Sequence, residues 1–194
     1  MDARISRALI YLDFFGLSEY AFHDLNRVIE IDPEKSLAYS IRARAYSSFQ
    51  DFDKAVAGFG KAILFAEGDH KPIYERGCFY AGRGDYHNAI SDFTESLNCT
   101  QDQIVRANIL IDRGRSYSNL DLNNKTADVH YKALEDFREA LQINDSPETL
   151  DSADFEIPAL LLAMSELSTG NAEPSQRSIP SWIKGRFGRL IGKQ

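Results

Sequence analysis

Ala21, Ala55 and Ala89 stand 34 residues apart, and each is followed four residues on by a bulky apolar residue, Leu25, Phe59 and Phe93. A fixed period of this length constrains the fold more than any other property of the chain. It marks stacked supersecondary units, each of which needs its neighbours to bury its apolar face.

Alignment on the period exposes the units. The second helix of each hairpin carries one stripe: Ala21/Leu25/Val28/Ile29, Ala55/Phe59/Ala62/Ile63, Ala89/Phe93/Ser96/Leu97 and Ala133/Phe137/Ala140/Leu141. Offsets of four, seven and eight fall on one helical face. The small residue lets paired helices approach, and the larger one is expected to fill the gap towards the neighbouring hairpin. The first helices have a signature of their own. An apolar residue (Ile5, Tyr39, Ile73, Leu110) is followed four residues on by Leu9, Ala43, Gly77 or Gly114, and three further on by Leu12, Tyr46, Tyr80 or Tyr117. Glycine inside a helix costs about 1 kcal/mol, so its recurrence points to close packing. Arg76 and Arg113, each just before such a glycine, read as repeat architecture.

The fourth unit breaks the period, with Ala133 lying 44 residues after Ala89. Three of the extra residues fall in the preceding loop and seven in the hairpin turn. Seven residues are about two helical turns, which preserves facing. The pattern predicts a second helix that starts early, after a polar turn over Asp121–Lys125, with Thr126 placed to cap it and Val129 extending its stripe. The insertion reads either as a protruding contact edge or as tolerated loop variation. Further on, Ser146-Pro147-Glu148 signals a helix start, and Pro158 then divides the segment into short helices near 147–155 and 158–168. The apolar run PALLLAMSEL suits a cap on the open end of the stack.

GRGDYHNAISDFTESL, YKALEDFREALQI and the closing Asp32-Pro33 carry the resemblance: residues 2–145 resemble a tetratricopeptide repeat (TPR) array. The early tryptophan of that family pattern is missing. The resemblance implies a right-handed superhelix whose first helices line a concave, partner-binding groove. Its groove positions fall on Arg7, Ile10 and Asp13, then Ser40, Ile41 and Arg44. They continue on Lys71, Tyr74, Glu75 and Cys78, then Ile111, Asp112, Arg115 and Asn119. Some family members clamp a peptide's terminal carboxylate with a lysine and asparagines. Here Ser40 and Arg44 stand at the first pair, and Glu75 stands where an asparagine is needed, so that clamp is not reproduced.

Composition narrows the function. The chain has 22 basic and 29 acidic residues and a net charge of −7, which argues against general nucleic-acid binding. Cys78 and Cys99 are too few for a disulfide framework and suit a reducing, cytoplasmic setting. The apolar N-terminal stretch is interrupted by Arg7 and Asp13 and reads as the first helix of the array rather than a leader. No phosphate loop, HExxH motif or serine elbow is present, and His23, His70, His87 and His130 fall in separate repeats without ligand spacing. No catalytic residue, metal or cofactor is expected.

From residue 171 the character changes to a linker and then SWIKGRFGRLIGKQ, with a net charge of +4 over residues 171–194. Trp182, Ile183, Lys184, Arg186, Phe187, Arg189 and Leu190 form a candidate contact segment. It reads as an interfacial membrane helix, a docking segment or a flexible tail. Gly185, Gly188 and Gly192 disfavour helix in water.

The chain thus reads as an all-α, right-handed solenoid of four TPR hairpins (about 2–35, 36–69, 70–103 and 107–145), with C-terminal capping helices over 146–170 and a basic tail over 171–194. The expected function is a non-catalytic scaffold or adaptor that holds a peptide or helix of a partner protein, with Arg44, Tyr74 and Arg115 as principal anchors. The alternatives are a peripheral membrane adaptor anchored by the tail and a secretion-type chaperone. Oligomeric state is left open.

Overall fold

The computed structural model describes residues 3–120 and 127–143. Within these residues the chain is all-helical: α1 (Ala3–Ile10), α2 (Ser18–Ile31), α3 (Ser36–Ser48), α4 (Phe52–Leu64), α5 (His70–Gly82), α6 (Tyr86–Asn98), α7 (Gln103–Leu120) and α8 (Ala127–Ile143). A single π-turn, Tyr11–Phe15, continues α1. The capping helices and the basic tail lie outside the described residues, as does the polar turn before α8.

The polypeptide turns back on itself at a position that also repeats every 34 residues. Gly16, Gln50 and Gly84 all have positive φ, at 61°, 59° and 77°. The left-handed conformation reverses the chain between the two helices of a hairpin. The next residue then caps the second helix in two of the three: Asp51 accepts from the Lys54 backbone N–H, and Asp85 from that of Asn88. In the first hairpin Leu17 stands at that position and offers no side-chain cap.

Helices pack α1 on α2, α3 on α4, α5 on α6 and α7 on α8, and each hairpin joins the next through α2/α3, α4/α5 and α6/α7. The first helices also touch in series, α1 to α3, α3 to α5 and α5 to α7. No comparable packing joins α2 to α4, α4 to α6 or α6 to α8 among the described residues. The second helices therefore fan outward, and the stack curves with the first helices inside.

The predicted stripes form the core. Ala21, Ala55, Ala89 and Ala133 are fully buried, as are Leu25, Phe93 and Phe137, with Phe59 nearly so. Burying one such side chain is worth about 1.5–3 kcal/mol. The rings of Phe93 and Phe137 lie over Gly77 and Gly114 of their own hairpins, where an added Cβ would stand 2.8 and 2.9 Å from ring carbons. This differs from the expected gap-filling towards the neighbour: glycine opens space inside the hairpin, and the ring occupies it. Hairpin two uses another solution. There Gly58 on α4 faces Ala43 on α3, and a Cβ on Gly58 would meet that of Ala43 at 3.0 Å.

Two more differences concern helix bounds. The three residues inserted before the fourth unit are helical rather than loop. Asp102 accepts from the backbone N–H of Ile104 (2.9 Å) and Val105 (3.1 Å), so α7 starts at Gln103, ahead of the expected Ala107. In α1 the buried small residue is Ala8, not the half-buried Leu9. The register of the first hairpin is therefore displaced by one residue from the sequence alignment.

Candidate interaction groove

That displacement reassigns Arg7. Arg7, Arg42, Arg76 and Arg113 each precede the small residue of a first helix. In three hairpins the arginine reaches across to an aspartate three residues after the stripe alanine. Arg7 holds Asp24 through Nε and Nη2, both at 2.6 Å. Arg76 holds Asp92 at 2.8 Å for both bonds, and Arg113 holds Asp136 at 2.9 and 2.6 Å. Arg7 is thus a within-hairpin tie rather than a groove anchor. Its hydrogen bonds hold the Asp24 carboxyl below the usual carboxylate range. Asp136 moves upward instead, because burial outweighs the guanidinium. Hairpin two has Gly58 at the aspartate position. Arg42 turns to Asn26 of α2 at 2.9 Å and lies over the Tyr39 ring, leaving its Nε without a partner.

Ser40 also leaves the groove set. It is 2% exposed, packed into the stack with Ile41. Arg44, one helical turn further along α3, is exposed on the inner layer.

Ile111, 5% exposed, belongs to the core, and the remaining residues fall on the face built by α1, α3, α5 and α7. Arg44 Nη2 donates to Asp13 of the π-turn at 2.9 Å, with both side chains nearly half exposed (43% and 46%). Farther along, the Tyr74 hydroxyl donates to Asp112 at 2.6 Å, and Arg115 approaches the other oxygen of the same carboxylate at 3.3 Å. Burial, and then the Asp112 charge, push the Tyr74 hydroxyl above its usual range, so it remains a donor. Asn119 donates to the Arg115 carbonyl at 2.9 Å. Lys71 is exposed at the start of α5.

Between these clusters lies a cavity of about 530 Å³ lined by Arg44, Ser47, Ser48, Phe59, Glu75, Cys78 and Phe79. A hollow of about 330 Å³ adjoins it at Arg44 and Ser48, and one of about 450 Å³ adjoins it at Cys78 and Phe79. The Cys78 thiol opens into this recess. Desolvation and the nearby Asp112 and Glu75 carboxylates push it up to about 11. Sequence reasoning missed Ser47, Ser48 and Phe79. Phe79 sits one residue before the repeated Tyr80 and follows no stripe, so its exposure to the recess carried no periodic signal. Among the described residues no three His, Cys, Asp or Glu side chains come together in a way that could hold a metal ion. No described helix is long and apolar enough to cross a membrane.

No protein-family model matches the chain, and no curated protein does. Solved structures do. One crystal structure of MamA superposes with a TM-score of 0.58 at 18% identity, over 72% of this chain and 75% of that one. A second MamA structure gives 0.56 at 16%, over 89% and 78%. Pseudomonas aeruginosa pilF gives 0.57 at 20%, over 100% and 92%. These neighbours are TPR solenoid proteins. The fold is TPR-like. At these identities the likeness speaks for architecture alone.

Proposed function

We propose that the chain is a non-catalytic interaction scaffold that holds a peptide or helix of a partner protein along its inner layer of first helices. The observation that carries this reading is the recess between α3 and α5. It offers aromatic surface from Phe79 over Phe59, flanked by exposed charges at Arg44 on one side and by the Tyr74–Asp112–Arg115 cluster on the other. Such a combination suits apolar anchoring with paired charges.

Arg44 is suited to exchange. Its ion pair with Asp13 is half exposed and is worth at most about 1 kcal/mol. A partner carboxylate therefore displaces Asp13 at small cost. The Arg76–Asp92 pair is far more buried and serves the hairpin.

The test is affinity capture from native lysate with mass spectrometry, using the full chain, the double variant Arg44→Glu/Arg115→Glu and a chain ending at residue 170. A partner lost on charge reversal and kept on tail removal supports the groove. Capture that ignores the reversal and requires the tail transfers the function to Trp182–Leu190.

A further inference from the structure

The inner face keeps its charges in matched sets with two exceptions, Glu75 and the solvent-exposed Lys71. Arg44 is matched by Asp13, and Arg115 by Asp112, which also accepts from Tyr74. Glu75 is not matched in this way. Its Oε2 is shut off from solvent and has no hydrogen-bond partner. Lys71, one turn earlier on α5, makes no ion pair with it among the described residues and spends only its backbone N–H, on Asp69. Glu75 lines the same recess as Arg44, Cys78 and Phe79.

A carboxylate with an oxygen removed from water and no protein donor has lost solvation that nothing in the free chain returns. The terminal torsion of glutamate is soft, so the group turns readily to meet a donor arriving in the recess. Charge selects that donor. Arg44 is neutralised by Asp13 of the π-turn and does not oppose a cation. Burial first, and then the Asp112 and Glu75 carboxylates, displaces the Cys78 thiol upward, in keeping with carboxylates close to this point of the recess.

We infer that the recess receives a basic side chain, lysine or arginine, of the bound partner segment at Glu75, with an apolar neighbour of that residue seated against Phe79. The inference rests on the reading of this face as a peptide groove and specifies the chemistry of its occupant. A charge-assisted bond to Glu75 is short and strong, and it restores the lost partner. The recess then pairs charges of both signs: Glu75 takes a base of the partner, while Arg44 stays able to exchange Asp13 for a partner carboxylate.

The test uses phage-displayed random dodecapeptides selected on the full chain. Selected sequences are then measured as soluble peptides against wild type, Glu75→Gln and Cys78→Trp. Glu75→Gln is isosteric and removes an unpaired charge, so the chain folds; Cys78→Trp fills the recess from an exposed position. The inference expects peptides with Lys or Arg beside an apolar residue. Their affinity falls at least tenfold on Glu75→Gln, and equally when the basic residue is replaced by norleucine. Peptides blocked by Cys78→Trp but indifferent to Glu75→Gln overturn the inference and leave the groove standing. Peptides indifferent to both variants, or no selected peptide, overturn the groove as well.

Discussion

Gln50 shows how far a repeat constrains a single residue. Its neighbours in register, Gly16 and Gly84, take positive φ without steric cost, whereas Gln50 takes φ 59° with a Cβ. Gln50→Gly is expected to raise stability by about 0.5–1 kcal/mol, read from denaturant midpoints at constant slope. Glycines inside helices separate in the same way. Gly60 is exposed with nothing near its absent Cβ, so Gly60→Ala is expected to stabilise by about 1 kcal/mol. Gly77→Ala gains the same propensity but drives a methyl into the buried Phe93 ring and Asp92. A net loss of about 1–2 kcal/mol is expected there. If both substitutions shift thermal unfolding in the same direction, the ring-over-glycine account of the hairpin fails.

At the scale of the element, the arginine–aspartate tie distinguishes hairpins that share a stripe. Hairpins one, three and four have it, and hairpin two trades it for direct Ala43–Gly58 contact. In hairpin one the tie makes stability depend on pH. The Asp24 carboxyl is depressed in the folded chain, so the unfolded chain binds its proton first on acidification. The contribution is present above about pH 4, the usual aspartate range, and is lost as pH falls through the lowered value. Asp24→Asn is accordingly expected to be less stable than wild type at pH 7, with a gap that narrows towards pH 2. Urea unfolding of both proteins across that range checks it, and a gap independent of pH would remove Asp24 from the account. The tie also explains what sequence reading could and could not reach. Arg76 and Arg113 were visible in register because glycine follows each of them. Arg7 was not, because the spacing from Ile5 to Ala8 is three where the other hairpins have four. Alignment on the apolar residue alone moved Arg7 into the groove. The helical start of α7 was hidden similarly: Asp102 caps through its side chain, a local bond that no 34-residue period reports.

For the whole molecule, the period of the alanines was enough to read helix pairing, the order of hairpins and the inner layer, since each follows from stacking like units. Partner surface is a different property. It depends on residues that the repeat does not need, and these vary from unit to unit. Arg44, Glu75 and Phe79 meet only because α3 and α5 lie side by side. The fold also presents a rival surface. Phe14, Phe15, Leu17 and Tyr20 are exposed around the turn of the first hairpin, Phe14 by 80%. A contiguous exposed apolar set of this kind is itself suited to contact. Hydroxyl-radical footprinting of the full chain, with and without its captured partner, decides between the two surfaces. The account predicts protection of Cys78 and Phe79 in the recess, with Phe14, Phe15 and Tyr20 unchanged. Protection confined to Phe14, Phe15 and Tyr20, with Cys78 and Phe79 still reactive, would contradict it.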